Sequence, residues 1–572
     1  MKPARPIHYA LLIAILALLG VALLYPIWLT VRVGFADDAA TASGFSLRHV
    51  ALVFADPILR QGLINALALA TVTTLLCTAI GLPMAMLSVR HDFPLKSFWN
   101  AAALVPLILP PFVGAIGLKA MLGRAGAVNA LLGTDWDLLG AHRFWGVAIA
   151  LALHLYPIIY LNASASLANL DPALDEAGKT CGVGPWTRFF RVTLPLIRPG
   201  LFAGGAVVFI WSFTELGTPL MFDYYDITSV QIFNGIKKMS ASSEPYALTA
   251  VMLAMAIVFY ILGKSVLGAP GHASSTRAFR AGGATRLSGF KALGATALFT
   301  AVTGAAILPH IGVILMSLAP PGAWYDTVVP AQWTLGNYEL ALGHPLAFNS
   351  IVNSLTLAGA AAAIDLLLGV AIGYLIVRTR IRGRNLLDAL AMLPLAVPGL
   401  VMAFGYVALT LRWPFGQGDP LQGLVDVVGA TPNPIPLLII AYAVRRLPYV
   451  VRSTVSGLQQ VHVELEEAAS VFGANTITTM RRVIVPLIAA NLLAGGLLAF
   501  SFAMLEVSDS LVLAQQERFY PITKAIYTFA ERLGDGVAIA CGMGVWGMLL
   551  LTVTLVGASL LMGKSLGAIF RV

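Results

Sequence analysis

The sequence predicts an all-α polytopic membrane protein, twelve transmembrane helices arranged as two homologous six-helix bundles. Three observations carry that prediction. First, the 572 residues are 58% hydrophobic and only 11% charged, with a mean hydropathy of +0.83, outside the range of soluble globular chains. Second, apolar runs long enough to cross a bilayer as helices recur along the whole chain. Third, one polar stretch occurs twice at a constant spacing: Asp175-Glu176-Ala177-Gly178-Lys179-Thr180-Cys181-Gly182 and Glu466-Glu467-Ala468-Ala469-Ser470-Val471-Phe472-Gly473.

Six apolar runs precede the middle of the chain: Tyr9 to Thr30, Gly62 to Val89, Phe98 to Leu122, Phe144 to Ala165, Gly200 to Phe222 and Ala247 to Val266. Six more follow, at Leu293 to Leu318, Ile351 to Val377, Leu386 to Thr410, Ile435 to Val455, Leu492 to Val512 and Val537 to Met562. The first run follows a basic start, as in a signal peptide. Its apolar core is too long for one, and Leu293 to Leu318 holds the same place in the second half, so it reads as a retained span.

The halves match residue by residue. Asn65, Gly81, Arg90, Pro106, Pro110 and Gly117 correspond to Asn353, Gly369, Arg378, Pro394, Pro398 and Gly405 at an offset of 288 (353 minus 65). Pro157, Gly204, Glu215, Glu176 and Pro195 correspond to Pro448, Gly495, Glu506, Glu467 and Pro486 at 291 (467 minus 176). An even number of spans per half makes the repeat parallel, related by an axis along the membrane normal. The expected division is a first repeat over 1–266, a linker over 267–290 rich in Gly, Ser and Ala, and a second repeat over 291–572.

The net charge of +9 does not point to nucleic acid. With both termini placed in the cytoplasm, Arg90, Lys96, Lys179, Arg188, Arg191, Arg198, Arg378, Arg380, Arg382, Arg384, Arg481 and Arg482 gather on the inner side with both polar stretches, the positive-inside pattern. Outer loops are too short for an independent receptor domain. Cys77, Cys181 and Cys541 are scattered through spans and loop, which excludes a disulfide framework.

In each polar stretch good helix formers lead to a glycine stop, and a proline opens the next span at Pro195 or Pro486. A short amphipathic helix held between two spans suits docking into a groove on a cytoplasmic partner. The pattern Glu-Ala-Ala, three residues, Gly, nine residues, then Ile-x-Leu-Pro resembles the coupling-helix signature of permeases in binding-protein-dependent ABC importers of the type I fold. Glu176, Ala177, Gly182, Leu194 and Pro195 match it in the first half, and Glu467, Ala468, Ala469, Gly473 and Pro486 in the second. Gly178 replaces the second alanine, at about 1 kcal/mol of helix propensity.

The resemblance covers both halves and implies a fused permease subunit. Its expected partners are two cytoplasmic ABC ATPase subunits, which bind ATP and Mg, an extracytoplasmic solute-binding protein, and membrane lipid in a bacterial inner membrane. No cofactor on this chain and no nucleic acid are expected. The solute implied is ferric iron or a similar small ion or aminophosphonate.

Ionisable residues inside spans are the pathway candidates. Glu215 and Glu506 lie roughly 20 Å from the inner surface and either line the pathway or fix helix packing. Asp365, matched to Cys77, reads as structural. Arg445, matched to His154, and Arg446 are expected to pair with an acid or a carbonyl. Pro106, Pro110, Pro394 and Pro398 break the third and ninth spans, as prolines do where helices line a cavity, flex or merely kink.

Gly263-Lys264-Ser265 and Gly563-Lys564-Ser565 lack the first glycine of a phosphate-binding loop, with Val258 and Ala558 in its place. No metal-ligand spacing and no nucleophile motif occurs, so the chain reads as a transport subunit and not an enzyme. The alternative is an ion-gradient-driven secondary transporter with two parallel halves.

Overall fold

A computed structural model of the chain describes residues 6–37, 42–140, 143–235, 242–267, 285–416, 418–427 and 432–562. Most of the expected linker, at 268–284, and Gly563-Lys564-Ser565 lie outside them.

The first half comprises α1 (Pro6–Gly34), α2 (Pro57–Arg90), α3 (Pro111–Leu122), α4 (Phe144–Ala168), the short α5 (Pro172–Thr180), α6 (Pro185–Thr214) and α7 (Glu244–Leu267). The second repeats the order with α8 (Gly289–Ser317), α9 (Pro345–Arg378), α10 (Gly399–Thr410), α11 (Ile435–Gln460), the short α12 (Glu464–Val471), α13 (Ala489–Met504) and α14 (Gly536–Met562). Among the described residues, nine helices are long and apolar enough to cross a membrane, and two bent helix pairs raise the number to eleven. Helix α11, whose 26 residues include Arg445, Arg446 and Arg452, stands at the place of the remaining expected span and is not among these eleven.

The prolines of the third span act as expected. Pro106 lies in a 3-10 turn at Val105–Ile108, Leu109 is extended at ψ 125° before Pro110, and α3 starts at Pro111. A proline ring removes one donor and forces its predecessor out of the helical region. In the second half Leu393–Leu395 and Pro398 do the same, and Arg384–Leu395 meets α10 at 101°. The freed carbonyls find partners on α4: His154 Nδ1 lies 2.8 Å from Pro106 O, and the Tyr156 hydroxyl donates to Ala103 O at 3.0 Å.

Each half lends its first span to the other. Thus α3 packs on α8, and α10 packs on the C-terminal part of α1. A Cβ at Gly117 would lie 2.0 Å from Pro309 O, and one at Gly405 would lie 2.3 Å from Pro26 O. Only glycine lets these backbones approach so closely. Tyr406 and Thr30 lock the second crossing by donating to Ala22 O at 2.8 Å and Val401 O at 3.0 Å. The main apolar core is correspondingly continuous, with Leu29, Phe112, Tyr156, Phe299, Phe404 and Tyr442 from both halves in one cluster.

One two-stranded parallel pairing, His91–Asp92 with Thr285–Arg286, ties the entry to α8 against the end of α2. Leu287 N donates to Asp92 O at 2.8 Å, and His91 Nδ1 lies 2.7 Å from Thr285 Oγ1.

Candidate functional site

The duplicated polar stretches form α5 and α12. Helix α5 starts at Asp171, whose Oδ1 accepts from Ala173 N at 2.9 Å, with Pro172 in the first turn. It stops where Gly182 turns left-handed at φ +72°, and Val183 N returns to Gly178 O at 3.0 Å. Helix α12 stops the same way at Gly473, φ +81°, with Ala474 N on Ala469 O at 3.0 Å. These are the left-handed C-terminal caps that glycine permits at no steric cost.

Glu176, Ala177, Glu467 and Ala468 are exposed, as are Gly182 and Gly473, while Gly178 and Ala469 are half-buried. The preceding acid is less exposed than this glutamate in each copy. Glu466 is fully buried and accepts from Arg378 Nε at 2.6 Å, while Arg378 Nη2 donates to Val461 O at 2.7 Å. The matched Asp175 instead pairs with Lys179 at 2.8 Å and Arg188 at 3.1 Å, both within its own segment. Partial burial opposes its ionisation, but these cations outweigh that and hold the carboxyl below its ordinary range. The tips also differ: Val471, Phe472 and Ile477 stand exposed on one, Cys181 and Trp186 on the other.

Glu215 and Glu506 each occupy a break between helices. Helix α6 ends at Thr214 and a short helix runs over Gly217–Met221, while α13 ends at Met504 and Ser508–Leu513 follows. The breaks meet across the halves, since a Cβ at Gly217 would lie 3.2 Å from Val507 Cγ1, and Glu215 lies within electrostatic reach of Glu506. Glu215 accepts from Trp211 Nε1 at 3.2 Å and from Thr218 N and Oγ1 at 3.1 Å. Glu506 is bonded to Arg446 and lies 3.5 Å from Arg445 Nε. The expected acid partner of both arginines is therefore Glu506. Arg445 Nη1 also lies 3.7 Å from Asp509.

Sequence reasoning missed Asp509, which is fully buried and matched by Thr218 in the first half, and it missed the pairing of Arg378 with Glu466. The latter was findable, because Arg90 and Arg378 share one register and Asp175 and Glu466 the other. Asp365 is fully buried in α9, and among the described residues neither carboxylate oxygen has a hydrogen-bond partner. Pro106 and Pro394 are buried at the breaks, and Pro110 and Pro398 immediately precede α3 and α10. Among the described residues, no three His, Cys, Asp or Glu side chains gather as a metal site.

The family described as binding-protein-dependent transport system inner membrane component matches this chain twice, over residues 78–269 and 365–560. The ferric transport system permease protein FbpB of Actinobacillus pleuropneumoniae is 27% identical over 85% of this chain and 70% of its own length. A putative ferric transport system permease protein FbpB 1 of Haemophilus influenzae is 26% identical over 90% and 79%. The molybdenum transport system permease protein ModB of Escherichia coli is 30% identical over 28% of this chain and 71% of its own length. The two family matches fall one on each half and cover more than half of the sequence. The chain therefore belongs to the binding-protein-dependent transport system inner membrane components, as a permease subunit with two copies of the family's domain fused in one polypeptide.

Proposed function

We propose that this permease imports ferric iron or a similarly small ion, and that α5 and α12 each dock one ATPase subunit. The observation that carries the docking role is the repeated construction of the two helices. In each, an exposed acid (Glu176 or Glu467) stands one residue after an acid anchored by arginine, and a left-handed glycine stops the helix. The ferric reading rests on relatives named as ferric transport permeases that align with most of the chain.

In this reading α5 and α12 face the cytoplasm with both termini, the binding protein meets the opposite face, and lipid surrounds the exposed apolar sides of the long helices. ATP and Mg belong to the ATPase subunits. The two repeats are 1–266 and 291–572, joined through 267–290. Closure of an ATP-bound ATPase pair draws α5 and α12 together. Each moving body then contains one half together with the first span of the other, because glycine contacts bind α3 to α8 and α10 to α1. Glu215 and Glu506, at the meeting of the two breaks, lie where those bodies separate.

The test is reconstitution of the purified chain in liposomes. Uptake of ferric iron that needs ATPase, ATP and binding protein together supports the reading. Uptake by the chain alone under an ion gradient overturns it in favour of a secondary transporter.

A further inference from the structure

A cavity of about 760 Å³ is walled by both halves. Ile116 and Lys119 of α3 and Leu220, Met221, Asp223 and Tyr225 come from the first half. Met316 near the end of α8, Trp324, Tyr325 and Glu531 come from the second. It sits directly beyond the short helix that follows Glu215, away from α5 and α12. A site of this size holds an ion with its retained water or chelating ligands, and far exceeds a bare ion.

Its charges are unequally compensated. Asp223 is held by Arg143 at 2.9 Å and Lys119 at 3.0 Å. Glu531 is bonded instead by the phenol of Tyr527, and its cation within electrostatic reach is Lys524, which among the described residues does not come within ion-pair distance. The Tyr225 hydroxyl donates to Asp223 Oδ1 at 3.4 Å, and Tyr225 lies within electrostatic reach of Glu531 and of Tyr527. Carboxylate and phenol oxygens from both halves thus converge on one cavity.

The duplication supplies an independent argument. Beyond the two glutamates the structural register is 294 (523 minus 229): Ser229 and Thr523 each donate to the backbone oxygen of the break glutamate at 2.6 Å. Asn65 and Asn353 donate to Asp226 O and Tyr520 O in the same register. At that offset Tyr527 is matched by Phe233 and Glu531 by Lys237, and Lys119 is matched by Val407 at 288. The phenol and the acid are therefore absent from the other copy, and the acid is replaced by a base. Scaffold symmetry alone does not produce this mouth.

We propose that the cavity is a binding site for a hard, multiply charged metal cation, held by Glu531 and Tyr225 with Tyr527 positioning Glu531 through its hydroxyl, where the solute rests between the binding protein and the pathway. This rests on the importer reading above and names the charge class within it, a cation and not an oxyanion. Hard cations prefer carboxylate and phenolate oxygens.

The test uses the permease assembled with its ATPase subunits, without binding protein, and ferric citrate as probe with sodium molybdate as the opposing probe. Ferric citrate is expected to give a saturable visible phenolate-to-iron charge-transfer band. Tyr225→Phe should diminish the band, and Glu531→Gln should weaken binding about tenfold. Absence of a band in the wild type, a band unchanged in Tyr225→Phe, or saturable molybdate binding lost in Lys119→Ala would each overturn the proposal. Ferric uptake in the reconstituted system is read separately, so transport without a band removes this site and leaves the importer reading standing.

Discussion

Arg378 and Glu466 form a buried ion pair, Nε to Oε1 at 2.6 Å, that fastens α12 to the end of α9. The matched Arg90 donates to Thr193 Oγ1 at 2.8 Å and makes no such pair with Asp175. One polar helix is thereby anchored to its bundle through a side chain, while the other is braced within its own segment. Removing one partner of a buried pair costs about 3–5 kcal/mol, whereas a part-exposed pair contributes about 1 kcal/mol or less. Glu466→Ala should lower the thermal midpoint and ATPase affinity of the purified permease far more than Asp175→Ala. Equal effects, or the reverse order, would show that the two anchors are alike.

Glu467 is exposed and forms no ion pair among the described residues. Its substitution should leave stability within about 0.5 kcal/mol. Glu467→Ala is expected to lower transport and the coupling of ATP hydrolysis to it, with capture of loaded binding protein intact. Normal transport in this variant would remove the docking role assigned to the residue.

Glu506 and Glu215 are matched by the repeat but held differently, the first by Arg445 and Arg446, the second by Trp211 and Thr218. Glu506→Gln removes the charge between two half-buried guanidinium groups and leaves Arg445 only the longer contact with Asp509, at about 3–5 kcal/mol. Glu215→Gln keeps hydrogen-bonding capacity and costs about 1 kcal/mol. Denaturation of the two variants in detergent should separate them in that order.

The exchange of first spans depends on glycine. A side chain at Gly405 meets the Pro26 carbonyl oxygen at 2.3 Å, whereas one at Gly359 of α9 meets nothing within 4 Å. Overpacking of this kind costs about 1–3 kcal/mol even where neighbours can yield. Gly405→Val should reduce the yield of folded protein on size-exclusion chromatography, and Gly359→Ala should not.

His91 gives the tether beside α5 a pH dependence. Burial, Arg90, Lys179 and Lys96 hold its ring below the ordinary value of 6.5, and the bond to Thr285 opposes them in part. The untethered state therefore takes up the proton first. The tether's contribution is complete above pH 6.5 and declines as pH falls through the lowered value. Cleavage by trypsin after Arg286 should be faster at about pH 5.5 than at about pH 8 when normalised to a His91→Gln control. A ratio unchanged by pH would show that the ring does not control the tether.

Much of the fold and part of the site are legible in the amino-acid sequence itself. Hydropathy located the spans, although a span defined by apolar length alone would have omitted α11, whose three arginines face partners that only packing supplies. Proline chemistry located the breaks in the third and ninth spans, and glycine at a fixed distance after an acid located the stops of α5 and α12. The cavity lined by Glu531 and Tyr225 left no local pattern, because its walls come from segments far apart in sequence.

Periodicity, composition and internal duplication by themselves determined the class of fold, the two halves and the position of the polar helices, since each follows from local backbone preference and the cost of placing polar groups in hydrocarbon. Tertiary structure alone decided that first spans are exchanged between halves, that Arg445 and Arg446 converge on Glu506, and that only one polar helix is anchored through a buried pair. Those outcomes depend on which surfaces meet at a distance, and two copies of one motif that share a local pattern can still meet different neighbours.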